Sequence, residues 1–129
     1  MFSIANHDEK RRDEIIFGTY DPSKYVGGIR HFQEMTRETL HQLIDEGFVN
    51  TTMTQNNSPS IQDFVDFIDA NDNYVVAGYV IAEKRKDYGV SIDTIKRTKK
   101  ITSAKDKKAL AEFAQHASAF DPKGYAWWD

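Results

Sequence analysis

Cysteine is absent from this 129-residue chain. Its absence excludes disulfide bonds, thiolate catalysis, iron–sulfur clusters and zinc sites built on cysteine ligands. Long apolar runs are missing as well, since no stretch approaches the roughly 18 residues of a membrane-spanning helix. The N-terminal segment 1–14 carries charges where a signal peptide has its apolar centre. The sequence therefore predicts a cytoplasmic protein with no membrane partner.

Proline is scarce, with three residues, and no repeat, low-complexity tract or linker interrupts the chain. A chain of this length fits one domain, because domains cluster near about 100–150 residues. Its content of 40% hydrophobic and 12% aromatic residues is typical of a globular protein. We expect a single domain over residues 1–129, with residues 1–12 either frayed or weakly helical.

The common catalytic motifs are also missing. The chain contains no G-x-S-x-G, no glycine-rich phosphate loop and no H-E-x-x-H. Its four histidines are scattered, and no pattern assigns one of them as a catalytic base. These absences favour a protein without enzymatic activity, and we expect neither a cofactor nor a metal.

Two patterns imitate metal sites. A charged stripe with the spacing 3, 4, 3, 4 comprises His31, Glu34, Glu38, His41 and Asp45. On a helix this stripe lies opposite the apolar residues Leu40, Leu43 and Ile44, and so faces solvent. The run that starts at Asp69 resembles the opening of a calcium loop, but Tyr74 stands where the loop needs glycine. Both patterns favour ordinary solvent-facing or turn residues.

The order of elements predicts an α+β fold, in which three helices pack on a short, mostly antiparallel sheet. A central β-hairpin is expected at about 74–82 and 88–95, because both runs are rich in β-branched and aromatic residues. The run Glu14–Thr19 is expected to add a third strand. Helices are expected from Thr36 to Gly47, from Ser58 to about Asn71, and from about Ala104.

The helix starts carry capping signals. Thr36 is an N-cap residue with the acidic Glu38 in the first turn. The second helix has two alternative starts, either Ser58 followed by Pro59, or Ser60 paired with Asp63. The third is expected to start at Ser103, paired with Asp106. Residues 50–59 are expected to form a polar loop.

Charge is unevenly distributed. Residues 83–108 contain ten lysines and arginines against four acids, whereas residues 1–82 contain six against thirteen. The basic block could hold nucleic acid or another anion, with a tyrosine as a stacking surface; its candidate residues are Lys84, Arg85, Lys86, Tyr88, Lys96, Arg97, Lys99 and Lys100. Glu83 and Asp87 can pair with the cations of the hairpin tip.

The helix that precedes the hairpin argues against sequence-specific DNA reading. It carries Asp63, Asp66, Asp69 and Asp72 and no lysine or arginine. Four carboxylates would repel the phosphates of a major groove. Nucleic acid is therefore a less favoured partner than protein.

Two further groups are candidate sites. Arg30 and His31 follow the flexible Gly27-Gly28 bend and could hold an anionic ligand. The C-terminal aromatic residues Tyr125, Trp127 and Trp128 could contact a partner, because Trp and Tyr are enriched at binding hot spots. Their alternative is to pack against the core of the chain itself.

Three functional hypotheses follow, in order of preference. The first is a non-enzymatic protein-interaction or regulatory module that binds a protein partner or self-associates. The second is a nucleic-acid-associated protein that uses the basic hairpin and the basic run after it. The third is a small enzyme or anionic-ligand binder built around Arg30 and His31.

Overall fold

A computed structural model describes residues 4–54 and 57–129 and has an α+β fold. Within those two ranges the helices are α1 (Glu9–Phe17), α2 (Arg37–Asp45), α3 (Ile61–Ala70) and α4 (Ala104–Phe113). The strands are β1 (Ile29–Met35), β2 (Tyr74–Ile81), β3 (Gly89–Arg97), β4 (Ala119–Asp121) and β5 (Tyr125–Trp127). A single 3-10 turn, Pro22–Lys24, lies between α1 and β1.

All five strands join one antiparallel sheet in the order β1-β2-β3-β5-β4. The predicted hairpin forms its centre, with Tyr74 opposite Arg97 and Ile81 opposite Gly89. Strand β3 continues two residues beyond the expected end at residue 95. These two residues, Lys96 and Arg97, pair with Val75 and Tyr74 of β2, and β5 pairs with β3 along Thr94–Lys96. The expected α+β class and antiparallel sheet are confirmed.

The two faces of the sheet have different partners, because successive strand residues point to opposite sides. One face joins the helices in the hydrophobic core, through Phe32, Met35, Tyr74, Val76, Val80, Val90, Ile92, Ile95 and Ala126. The other face carries residues outside that core cluster, among them Ile29, His31, Val75, Ala77, Tyr79, Ser91, Thr94, Lys96, Ala119, Asp121, Tyr125 and Trp127. We call the second one the open face.

The core is built from the apolar stripes of the helices. Leu40 and Leu43 of α2 and Phe64 of α3 are fully buried in it. Trp128 follows β5 and is 2% exposed, with its ring 5.5 Å from that of Phe64 and 5.6 Å from that of Phe113. The helices and the tail after β5 therefore share one hydrophobic interior.

The predicted third strand, Glu14–Thr19, is wrong, because this segment belongs largely to α1. The helix begins after the N-cap Asp8, whose carboxylate accepts a hydrogen bond from the Arg11 amide at 3.0 Å. The β-branched Ile15 and Ile16 lower helix propensity only slightly. Tertiary contacts made by residues nearer the start of the helix outweigh the local preference of Ile15 and Ile16 for a strand. The additional strands are β1, β4 and β5, and the described part of the chain has four helices rather than three.

Those tertiary contacts centre on the buried pair Arg12 and Asp13, both of which are fully enclosed. The Arg12 guanidinium donates to Asp13 Oδ1 at 3.0 Å, to the Ile81 carbonyl at 2.9 Å and to the Tyr25 hydroxyl at 2.8 Å. The Tyr25 hydroxyl in turn donates to the Asp13 carboxylate. Burial and this hydrogen bond raise the pKa of Tyr25. The network joins α1 to the end of the central hairpin.

The predicted helix starts are present at three places. Thr36 accepts from the Thr39 amide at 3.2 Å, and Ser103 accepts from the Asp106 amide at 3.0 Å. Helix α3 uses the alternative start, in which Ser60 and Asp63 bond each other's backbone amides at 3.1 Å. Side-chain oxygens thereby satisfy amide groups that have no partner inside the helix.

Two expected irregular segments are only partly described. In the expected loop 50–59, residues 55 and 56 lie outside the described part of the chain. Helix α3 begins after this loop, at Ile61. Of the segment 1–12, residues 1–3 lie outside the described part, whereas residues 9–12 are helical. Across the two described ranges, no helix is long and apolar enough to cross a bilayer.

Candidate functional site

The predicted basic block is divided between the two ends of β3. Lys84, Arg85 and Lys86 lie in the turn before the strand, whereas Lys99 and Lys100 follow its last residue. The nine residues of β3 span about 30 Å at a rise near 3.3 Å per residue. The two ends therefore form separate surfaces rather than one patch.

The hairpin tip holds its arginine in local contacts. Arg85 donates to both carboxylate oxygens of Asp87, at 2.9 and 2.8 Å, and to the Gly27 carbonyl at 2.9 Å. The expected pairing between Asp87 and the tip cations is thus present. Lys84 and Lys86 remain exposed on either side. The tip offers two lysines, and its guanidinium is already bonded.

Tyr88 is covered instead of forming a platform at the tip. It is 6% exposed, and its hydroxyl donates to the Asn6 carbonyl at 3.0 Å. Its ring stacks on His7, with the centroids 4.8 Å apart, and the Arg12 guanidinium lies 4.8 Å from the ring centroid. The predicted stacking surface at this end of the sheet is therefore not available in this structure.

The other end of β3 borders a cleft of about 710 Å³. Three segments form it: the chain that follows β3, helix α4, and the turn between β4 and β5. Its lining residues are Arg97, Thr98, Lys99, Lys100, Ile101, Lys107, Pro122 and Lys123. We call this the cationic cleft, because five of the eight side chains are basic and none is acidic.

Its four lysines have no carboxylate partner within residues 4–54 and 57–129. Two neighbouring acids bond other groups of the segments that form the cleft. Asp106 lies 3.5 Å from Arg97, and Asp121 accepts the amide of Lys123 at 2.9 Å in the β4–β5 turn. Like charges that share a cleft repel one another, and a bound anion relieves that repulsion.

Arg97 organises the cleft. Its guanidinium donates to the Lys99 carbonyl at 2.9 Å and to the Asp72 carbonyl at 3.0 Å, and it lies 5.1 Å from the Tyr74 ring centroid. Burial raises the pKa of Tyr74, and the nearby Arg97 acts in the opposite direction. Because these contacts hold the arginine, its role is to position the segment that carries Lys99 and Lys100.

Sequence reasoning assigned Lys99 and Lys100 to an anion surface but missed Lys107 and Lys123. Lys123 reaches the cleft because β5 pairs with β3, which brings Gly124 to Arg97 with an N–O distance of 2.6 Å. Lys107 arrives on the first turns of α4. Lys107 belongs to the basic block of residues 83–108 without being one of its candidate residues. The approach of Lys123 has no local signal, because it depends on the pairing of distant segments.

The C-terminal aromatic residues divide between the two sides of the sheet. Tyr125 lies opposite Lys96, and Trp127 lies opposite Thr94, both on the open face. Tyr125 is 38% exposed, and Trp127 is half-buried. Trp128 is in the core. The partner-contact group predicted from the sequence therefore reduces to Tyr125 and Trp127 as surface residues.

The side chains of Arg30 and His31 point to opposite faces, because they are consecutive residues of β1, although both residues line one hollow. The Arg30 guanidinium lies 3.6 Å from the Phe17 ring centroid on the helix side. His31 makes an edge contact with Tyr79 on the open face, with centroids 5.6 Å apart. The hollow beside them, about 270 Å³, is below the roughly 300–1,000 Å³ of ligand pockets.

Two acidic residues of α3 lie away from the cationic cleft. Asp63 and Asp66 of α3 line a different cleft of about 640 Å³, between α3 and α4. His31 and Glu34 of the charged stripe are on β1, whereas Glu38 and His41 are on α2. Among the described residues, no group of three or more acids and histidines could hold a metal ion.

Comparisons with protein-family models, curated proteins and solved structures found no match. The residues and their geometry are therefore the basis of the functional proposal.

Proposed function

We propose that this protein is a non-catalytic binding module for a polyanionic ligand, and that the cationic cleft is its binding site. One observation carries the proposal. Four lysines from three separate segments line one cleft, and no described carboxylate pairs with them. Like charges in one cleft repel one another, and a bound polyanion relieves that repulsion, so this convergence supports a role in binding.

The dimensions and chemistry of the cleft support a phosphate-rich ligand. Its volume of about 710 Å³ is within the range of ligand pockets. A lysine ammonium is a compact charge that binds phosphate without a fixed geometry. Each charge contact at about 4 Å contributes on the order of 1 kcal/mol in bulk water, and more where water is partly excluded.

Calorimetric titration with sodium tripolyphosphate at low salt tests the proposal. Two double variants form a matched pair, namely Lys99→Ala/Lys100→Ala in the cleft and Lys84→Ala/Lys86→Ala at the hairpin tip. Each removes two positive charges from exposed side chains, at opposite ends of β3. The cleft variant should weaken binding by about tenfold or more, since each lost contact is worth on the order of 1 kcal/mol.

The tip variant should bind within about twofold of the wild type in about 0.1 M salt, because its charges are about 30 Å from the cleft and the Debye length is then about 10 Å. Equal losses in both variants would assign the binding to overall charge and contradict the proposal. Absence of tripolyphosphate binding at low salt would contradict it as well. Raising the salt concentration should weaken binding to the wild type, because exposed charges are screened.

A second candidate function is the binding of a protein partner or of a second copy of this chain. It is supported by the two aromatic side chains, Tyr125 and Trp127, that lie on the open face. Light scattering should then give a mass above that of the monomer, and Trp127→Ala should reduce that mass. A monomer in both proteins would leave self-association without support.

A further inference from the structure

We infer that the polyanion is a single-stranded nucleic acid whose phosphates occupy the cationic cleft and whose bases stack on the open face. The inference rests on the proposed function, because it assigns the ligand class of the same cleft. It adds a second surface, which a free phosphate compound would not need. The two surfaces meet at the end of β3 and at the start of β5.

The junction is visible in the pairing of the strands. Lys96 and Tyr125 lie opposite each other on the open face. The next residue after Lys96 is Arg97, and Lys123 is two residues before Tyr125; both Arg97 and Lys123 line the cleft. A nucleic-acid strand that leaves the cleft therefore meets the Tyr125 ring and the Lys96 ammonium within the length of about two strand residues, or about 7 Å.

The aromatic side chains continue from there across the sheet. Trp127 is two residues beyond Tyr125 on the same face, or about 7 Å along the strand. Tyr79 is on β2, two strands away, and His31 lies directly opposite it on β1. Aromatic residues on an open sheet stack single-stranded bases, and each stacked base strengthens binding about tenfold or more.

The charges favour a polyanion over an ordinary protein segment at this junction. Lys96 lies on the open face, and the cleft with its five basic side chains lies at the same end of β3. Three acids are nearby: Asp121 lies opposite Tyr125 and accepts the Lys123 amide, Asp93 accepts the Thr94 hydroxyl at 2.8 Å, and Asp106 pairs with Arg97. The six basic groups therefore outnumber the acids. A duplex is less suitable, because its bases are stacked internally and cannot reach the aromatic rings.

The test uses the intrinsic fluorescence of the two tryptophans. Single-stranded oligothymidine and oligouridine of about twelve nucleotides, within the site sizes of such proteins, are titrated at low salt. Both should quench the emission, because a base covers Trp127. Trp127→Phe should abolish most of the quenching, since the remaining Trp128 is 2% exposed and out of reach. Tripolyphosphate should bind without quenching.

Affinity variants give a second readout. Trp127→Ala and Tyr125→Ala should each weaken oligonucleotide binding about tenfold, as expected for one lost stacking contact, and should leave tripolyphosphate binding unchanged. Phe120→Ala is the matched control. Phe120 is an exposed aromatic residue, 42% accessible, but it pairs with Ala126 and so points away from the open face. It should bind as the wild type does.

The outcomes separate the two proposals. Tripolyphosphate binding without oligonucleotide quenching would overturn the inference and leave the cleft proposal standing. Absence of both would overturn both. A mass change in Trp127→Ala by light scattering, without quenching in the wild type, would assign the face to a protein contact and overturn the inference. If Trp127→Ala does not fold, Trp127→Phe tests the inference: loss of quenching in this variant supports base stacking on Trp127, and unchanged quenching contradicts it.

Discussion

Trp127 and Trp128 are consecutive residues that lie on opposite sides of the sheet. Trp127 pairs with Thr94 on the open face, whereas Trp128 packs against Phe64 in the core, with its amide bonded to the Asp93 carbonyl at 2.9 Å. Because their environments differ, substitutions of the two residues can be compared directly. One tryptophan can serve a ligand, and the other supports the fold.

Trp128→Ala should therefore destabilise the protein far more than Trp127→Ala. Removing a buried aromatic side chain costs about 3–5 kcal/mol, because contacts are lost and a cavity remains. Trp127 is half-buried, so its replacement should cost about 1 kcal/mol, the centre of the range for single substitutions. Chemical denaturation followed by far-UV circular dichroism measures both. Equal losses would contradict the assignment of the two side chains to different faces.

The buried Arg12–Asp13 pair predicts a second large effect. Asp13→Asn should lower the free energy of unfolding by about 3–5 kcal/mol, since it leaves the Arg12 charge buried without its partner. The neighbouring Glu14→Gln is the control, because Glu14 pairs with Lys10 at 3.4 Å on the exposed side of the helix. It should cost at most about 1 kcal/mol. A small loss in Asp13→Asn would show that α1 is not held by this network.

Gly78→Ala should disrupt the centre of the sheet. A Cβ atom at this position would lie 1.9 Å from the Ser91 carbonyl oxygen and 2.9 Å from Ile92 Cα. Both obstacles are backbone atoms of β3, so we expect a loss of about 3 kcal/mol or more from overpacking. Gly27→Ala is the comparison. Gly27 has a φ of +62°, and a Cβ atom added there would have no atom within 4 Å. The substitution should therefore lower the free energy of unfolding by only about 1–2 kcal/mol, through backbone strain. A Gly78→Ala protein as stable as Gly27→Ala would contradict the close approach of the two strands.

Tyr20 predicts a specific loss of stability at alkaline pH. Its hydroxyl donates to Glu9 at 2.5 Å, and this hydrogen bond, followed by burial, raises the pKa of Tyr20 to about 12. The unfolded pKa is near 10, so the contribution of Tyr20 is full below about pH 10 and is lost as pH rises towards about 12. The stability difference between wild type and Tyr20→Phe should shrink over that interval, as measured by urea denaturation. A difference that stays constant with pH would exclude this linkage.

The hairpin and three helices could be predicted because their signals are local. Residues 74–82 and 88–95 are rich in β-branched and aromatic side chains, and the capping residues Thr36, Ser60 and Ser103 stand where the helices begin. Helix α1 could not be predicted in the same way. Ile15 and Ile16 favour a strand locally, and the contacts that hold the segment helical reach Tyr25 and Ile81.

The site shows the same division. Lys99 and Lys100 stand out in the sequence as part of a basic run, but the run also contains the tip cations, which lie at the other end of β3. Lys123 belongs to a short turn with no basic neighbour, and only the pairing of β3 with β5 places it in the cleft. The aromatic tail likewise has no sequence signal that separates Tyr125 and Trp127 from Trp128.

By itself, the sequence determined the α+β class, the central hairpin, the helix caps and the exclusion of cysteine chemistry, because composition, alternation and capping act over a few residues. Only the tertiary structure decided which side of the sheet each aromatic residue takes, that α1 is a helix, and which lysines converge. Those outcomes depend on antiparallel register and on the buried Arg12–Asp13 network, which join residues that are distant in the chain.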